Sequence, residues 1–236
     1  MNHPLYWRDQ QAMSWTATVL VSSPNGVTLD ESAFYPGGGG QPADAGVLEW
    51  GGVFTRVEGV NGAGALVPVE GDPMPPVGTP VVARLDDVRR RSLMRTHSAL
   101  HVVCGVVFRD FGALVTGSNM EPLTGRMDFN LPTVPDGFKS ELERIVNEEI
   151  ARDRAISARV VSRDEALADA DVMRTAQHLI PAQVEQVRII DVEGLDAQAD
   201  AGTHVASTKQ IGEVTIAKVE SKGKGFRRVR VVLPTT

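Results

Sequence analysis

The stretch "ARLDDVRRRSLMRTHSALHVVCGVVFRDF", Ala83 to Phe111, is where the chain changes its hydrophobic period. Its opening residues close a run of short alternating segments. After Asp87, residues Leu93, His97, Leu100, His101, Cys104, Val107, Phe108 and Phe111 recur at helical spacing, which predicts one helix with a buried stripe. A switch from period two to period 3.6 marks a boundary near residue 86, giving domains 1–86 and 87–236.

Working outward towards the N-terminus, "SWTATVLV" and "GVFTRVEGV" alternate as half-buried strands do, and Pro24-Asn25-Gly26 and "NGAGA" supply turns between them. Many short strands, ending with "GTPVVARLD", predict a small β-barrel or sandwich. On the other side, Asp136 can cap a helix carrying Phe138, Leu142, Ile145 and Val146. "SARVVS" reads as a strand, and Ser162 with Glu165 forms a capping-box signature for a short helix. "EQVRIIDV" predicts a further strand, and "IGEVTIAKVE" and "GFRRVRVVL" flank the turn "SKGKG" as a hairpin. The second domain is therefore expected to be α+β, with helices packed on an antiparallel sheet.

With 236 residues, 42% of them hydrophobic, the chain can bury a substantial core. One cysteine, Cys104, excludes an internal disulfide framework. The start "MNHPLYWRDQQAM" lacks both the apolar core of a signal peptide and the Arg-rich pattern of a transit peptide, so the cytoplasm is the expected compartment. No apolar run approaches the roughly 20 residues of a membrane span. A net charge of −6 argues against a large nonspecific nucleic-acid surface, DNA included, although a local excess of Lys and Arg remains open.

His97 and His101 are one helical turn apart, so their imidazoles lie on one face about 6 Å apart, close enough to share a metal ion. The plainer alternative is two core histidines, each satisfied by one hydrogen bond. Ser98 stands where a zinc protease of the HExxH type has its glutamate, so that class is set aside. A second pair, Asp200 and His204, is also four residues apart, and both residue types ligate zinc. Two close pairs about a hundred residues apart predict a four-ligand site; His3 and His178 belong to neither pair. Cys104 lies about 10.5 Å along the helix from His97, too far to share that ion easily, and is assigned to the core with Met94 and Phe108. The run Gly37–Gly40 lacks the Lys-Ser/Thr ending of a phosphate-binding loop, so nucleotide hydrolysis is unsupported and a flexible loop is the simple expectation.

Taken in order, "FYPGGGGQPADAG", "MRTHSALH", "GRMDFN", "DAGTHV" and "SKGKGFRRVRV" resemble the motifs of the free-standing alanyl-tRNA editing proteins of the AlaX type, related to the editing domains of alanyl- and threonyl-tRNA synthetases. The resemblance spans most of the chain, which looks like the medium-length form lacking a further C-terminal domain. It implies an α+β fold: a small β-barrel-like N-terminal domain, then a two-layer editing domain with an antiparallel sheet. The implied activity is hydrolysis of the ester that joins serine or glycine to alanine-specific tRNA. A synthetase pocket shaped for a small side chain discriminates poorly against glycine or serine, so a second hydrolytic site is needed.

The resemblance implies a divalent metal, zinc, on His97, His101, position 200 and His204. The family has a cysteine at position 200, and Asp200 departs from it, weakening the preference for zinc. Ser98 stands where the family commonly has Thr, and with Gln41 it is the implied catalytic residue. Thr96, Thr203 and the loop glycines Gly38, Gly39 and Gly40 are the implied substrate contacts. A hydroxyl at Ser98 could bond a seryl side chain, or simply bond a helix carbonyl.

For tRNA, the expected contacts are Lys222, Lys224, Arg227, Arg228 and Arg230, in a stretch from Lys218 whose one acidic residue is Glu220. Arg89, Arg90, Arg91 and Arg95 form a second basic cluster beside His97. Two other functions fit the same residues: a noncatalytic tRNA-binding protein of this fold, and a metal-dependent hydrolase of another small ester.

Overall fold

A computed structural model describes residues 3–169, 172 and 183–235. The chain divides into two compact units, residues 1–92 and 93–236.

In the first unit a short helix α1 (Leu5–Arg8) precedes six strands: β1 (Ser14–Ser23), β2 (Gly26–Leu29), β3 (Gly46–Trp50), β4 (Val53–Val60), β5 (Leu66–Pro68) and β6 (Pro80–Leu85). They close into an antiparallel barrel in the order β1-β2-β5-β4-β3-β6, which settles barrel over sandwich. Alternation fills the interior: Ala17 and Val19 from β1 meet Leu48, Val57, Val81, Ala83 and Leu85, with Phe34 added from a loop.

The run Gly37–Gly40 leads through a hydrogen-bonded turn. All four glycines have positive φ, from 58° to 124°, a region that L side chains avoid. Gly38 and Gln41 exchange backbone hydrogen bonds of 3.0 and 2.9 Å, and the Tyr35 hydroxyl donates to the Gly38 carbonyl. Asp44 anchors the same segment, accepting from the Tyr35 amide at 2.7 Å.

Helix α2 (Asp87–Phe111) begins at Asp86, whose carboxylate accepts from the Arg89 amide at 3.0 Å. Arg90, in its first turn, is fully buried in the first unit. Its Nε lies 3.0 Å from both oxygens of Asp44, and its Nη2 donates to the Ala33 carbonyl and to Asp44.

The second unit adds β7 (Val115–Glu121), β8 (Thr124–Phe129), α3 (Phe138–Ala151), β9 (Ile156–Ser162), α4 (Arg163–Ala168), β10 (Gln186–Val192), β11 (Asp196–Ala199), a 3₁₀ turn Thr208–Ile211, β12 (Thr215–Ser221) and β13 (Arg227–Val232). Two antiparallel sheets form where one was expected: β11-β10-β9, and β12-β13-β8-β7. Ser162 and Glu165 make the anticipated capping box. Asp136 does not cap α3. Gly137 holds the N-cap position at φ 76° with no side-chain cap, because the chain enters the helix through a left-handed residue.

From Ser92 to Val107, α2 is buried on every side rather than along one stripe. On one side Gly125 of β8 approaches so closely that an added Cβ would lie 3.2 Å from Leu100 and 3.3 Å from Thr96. On another, a Cβ on Gly105 would lie 2.8 Å from Leu195 Cγ, 2.9 Å from the Leu195 carbonyl oxygen and 3.1 Å from Asp196 Cβ. A glycine permits the close approach in each case, on the strand at Gly125 and on the helix at Gly105.

Candidate metal centre

His97 and His101 project from one face of α2, and Asp200 and His204 come from the segment that leaves β11. One ligand atom from each lies within 4.8 Å of every other. Asp200 Oδ2 is 3.2 Å from His97 Nε2 and 3.9 Å from His101 Nε2, and Asp200 Oδ1 is 3.4 Å from His204 Nε2. Four donors at zinc–nitrogen distances around a tetrahedron are about 3.4 Å apart, so these side chains fit a divalent ion with little rearrangement. The imidazoles are almost wholly buried, with side-chain exposures of 6%, 4% and 0%, against 16% for Asp200.

Further residues fix the ring orientations. His101 Nδ1 lies 2.9 Å from Asp196 Oδ2, which also accepts from Gln198 Nε2 at 2.7 Å. Ser98 Oγ is 3.3 Å from His204 Nδ1 and accepts from the Val205 amide at 3.2 Å. Both rings thereby turn Nε2 towards the shared point. Arg188, buried on β10, donates through Nη1 to the carbonyls of Gly202 at 2.7 Å and Asp200 at 3.3 Å, and the Gly202 amide donates to Asp200 Oδ1. The turn joining the two ligands is thus held at both backbone and side chain.

The charges of Asp200 and His204 suit the chemistry, whereas His101 must give up a proton to bind a metal. Burial alone would raise the Asp200 carboxyl, but the His97 charge and hydrogen bonds from His101, His204 and His97 hold it well below the usual range, so it is a carboxylate. Burial and the neighbouring His97 hold His204 well below its ordinary value, leaving the neutral imidazole that a metal requires. For His101 burial acts downward, yet its bonds to Asp196 and Asp200 prevail and push it up to about 9.

Of the other anticipated residues, Thr96 and Thr203 are fully buried. The Thr96 hydroxyl accepts from the Leu123 amide at 2.9 Å and so supports the β7–β8 turn, where Leu123 has φ 63°. Ser98 is also fully buried, its oxygen engaged with His204 and Val205. Gly38, Gly39, Gly40 and Gln41 belong to the hydrogen-bonded turn of the first unit, where Gln41 is buried. Cys104 and Met94 are core residues, Phe108 is half-buried, and His178 lies outside the described residues.

The basic clusters divide. Arg90 is sealed against Asp44, and Arg95 is buried with Nε on the Ile211 carbonyl at 2.8 Å, so neither is placed to meet phosphate. Arg89 bonds the Ala43 carbonyl, and Arg91 pairs with Asp87. On the hairpin, Arg228 forms a double bond pattern with Asp128, both contacts at 2.7 Å, while Glu220 takes Arg230 and Lys218. Arg227 bonds only the carbonyls of Phe226 and Pro132. Among the described residues, Lys222, Lys224 and Arg227 form no ion pair, and Lys222 acts on the Asp128 carboxylate only at longer range, so the least compensated charge of the hairpin sits at its turn.

Asp196, Gln198 and Arg188 were missed from the sequence. The signal for the first two was the alternation "DAQAD", which puts Asp196 and Gln198 on one face of β11 and leads into Asp200.

Residues 187–230, which include Asp196, Asp200, His204 and the hairpin, match the family described as threonyl and alanyl tRNA synthetase second additional domain. Asp200 and His204 therefore lie in a segment of the class found in threonyl and alanyl tRNA synthetases, and His97 and His101 precede it. Over 97% of its length the chain is 37% identical to "Alanyl-tRNA editing protein AlaX-M" of Saccharolobus solfataricus, covering 98% of that protein. It is 32% identical over 99% of both chains to the protein of the same name from Methanosarcina barkeri. It is also 35% identical to "Alanine--tRNA ligase" of Pyrobaculum neutrophilum, matching 98% of this chain and 26% of that one. The chain belongs to the AlaX-M family of alanyl-tRNA editing proteins.

Proposed function

We propose that this chain is a trans-editing deacylase that hydrolyses the ester of Ser-tRNA(Ala), Gly-tRNA(Ala) or both. The observation that carries this is the buried cluster His97, His101, Asp200 and His204, four donors at the spacing of one coordination sphere. These residues would hold a divalent ion, with zinc the first candidate. When bound, such an ion supplies Lewis acidity that polarises an ester carbonyl.

The chain's own residues do the rest. Asp200 brings a negative charge that offsets that of the cation, and Ser98 and Asp196 keep His204 and His101 oriented. Burial of the cluster excludes bulk water and strengthens each charge interaction within it. Lys222, Lys224 and Arg227 engage RNA phosphates, a charge role that needs no sequence readout. The work is placed in the cytoplasm, and among the described residues no helix is long and apolar enough to cross a membrane.

The second reading is a noncatalytic tRNA-binding protein, favoured by Asp200 standing in place of the thiolate that the resemblance implies. Incubation with alanine tRNA charged with serine, glycine or alanine separates the two. Release of serine or glycine well ahead of alanine is expected. Binding of all three without release would establish the noncatalytic reading, and release of alanine at the same rate would remove the editing role.

A further inference from the structure

We propose that Asp196 is a positioning residue that decides which nitrogen of His101 faces the metal. The inference rests on the metal centre described above and goes beyond its four ligands. Strand alternation puts Asp196 and Gln198 on the same face of β11, and both are buried, at 3% and 9% exposure. Asp196 Oδ2 sits 2.9 Å from His101 Nδ1, and Gln198 steadies that oxygen from 2.7 Å.

The Asp196 oxygen that faces the ring already accepts from Gln198, so it meets His101 as an acceptor and the ring nitrogen opposite it carries the hydrogen. That fixes the neutral His101 as the Nδ1–H tautomer and leaves the Nε2 lone pair on the side of Asp200, His97 and His204. Without the carboxylate, His101 is free to carry its hydrogen on Nε2, where it would block coordination. Asp196 is not itself a ligand, because it lies behind the ring, at the nitrogen opposite the shared point.

Gly105 makes this contact attainable. It follows His101 by one helical turn, and its missing side chain is what lets Leu195 and Asp196 come against α2. Ser98 stands in the same relation to His204 Nδ1. The pattern is the usual one for metal-binding histidines, whose second nitrogen is held by a carboxylate, carbonyl or hydroxyl partner.

The test begins with the whole chain loaded with zinc and labelled with ¹⁵N in histidine. Long-range ¹H–¹⁵N correlation spectra should show His101 protonated at Nδ1 and metal-bound at Nε2. Coordination through Nδ1 would overturn the proposal without any variant. Zinc affinity is then measured by competition with a chromophoric chelator. Asp196→Ala should weaken it by about 10- to 100-fold. Asp196→Asn keeps an acceptor oxygen, so it should retain the Nδ1–H tautomer and lose less affinity than Asp196→Ala. In both variants the His204 tautomer should stay as in the parent, which a general loosening of the fold would not allow. Equal affinity in parent and Asp196→Ala overturns this inference while leaving the metal centre standing; failure of the parent itself to bind zinc overturns the metal centre instead.

Discussion

Arg90→Met would remove a guanidinium whose side chain is 0% exposed and leave Asp44, itself 1% exposed, as a buried carboxylate with the Tyr35 amide as its remaining side-chain hydrogen bond in the barrel unit. It would also strip the donor from the Ala33 carbonyl. Breaking a buried pair by removing one partner costs about 3–5 kcal/mol, far more than the pair contributes relative to a neutral replacement. For a chain of this size each kcal/mol lowers Tm by about 2–4 °C, so a fall of at least about 6 °C is expected. The assay is a thermal melt of parent, Arg90→Met and the double variant Arg90→Met/Asp44→Asn. The double variant should recover at least about 1 kcal/mol, since the amide introduced by Asp44→Asn is neutral and can still accept from the Tyr35 backbone. tRNA affinity, taken well below the melting range, should be the same in all three. A destabilisation under about 1 kcal/mol, or a double variant no more stable than the single, would refute the buried-pair account. A fall in tRNA affinity at unchanged stability would return Arg90 to the RNA track.

Asp200→Cys should hold zinc longer against a chelator, because a thiolate is the softer donor; faster release from a folded variant would show that position 200 is not a ligand. Replacing Lys222, Lys224 and Arg227 together by Ala should reduce the log–log salt dependence of tRNA affinity by roughly 0.7–0.9 for each phosphate no longer neutralised. Arg228→Ala should leave that slope nearly unchanged and lower Tm instead, since its charge is already engaged by Asp128; a slope that falls with Arg228 alone would contradict this division. The side-chain bond from Arg56 holds the Asp72 carboxyl at about 2, below its ordinary 3.8, so its contribution is present above about pH 4 and lost as pH falls towards 2. Melts of Asp72→Asn should therefore decline less steeply than the parent across that window, and parallel curves would count against it.

The barrel, the helix that follows it and the histidine pairs were legible because each is written in local spacing. Val81, Ala83 and Leu85 alternate before the boundary, and His97 and His101 repeat by one helical turn after it. Charge pairing was not legible in that way. Arg89, Arg90 and Arg91 are neighbours in sequence, but only the fold shows that Arg90 meets Asp44, 46 positions earlier, while Arg91 stays on its own helix with Asp87. Arg228 looked free for the same reason, because its partner Asp128 lies on the adjacent strand a hundred residues away. The stripe on α2 was read as one-sided because Arg95, Thr96 and Ser98 count as polar, yet each finds a partner within the fold. The helix start at Gly137 escaped notice because Asp136 offers the commoner capping side chain and left-handed backbone has no local signature beyond glycine itself.

Gly105 coordinates nothing and lies a full turn from the nearest ligand, yet it is where helix and β10–β11 turn touch backbone to side chain. A saturation library sorted for zinc retention rather than for stability should therefore be depleted at position 105 as sharply as at the residues around the ion. The gain of about 1 kcal/mol in helix propensity that alanine offers is met there by a Cβ 2.9 Å from the Leu195 carbonyl oxygen, an overpacking that costs about 1–3 kcal/mol and drives Asp196 away from His101. Folding and cation capture are therefore tied together at that one position, because the close approach that lets helix and turn pack is the same one that brings Asp196 to His101, and Gly105→Ala would loosen both.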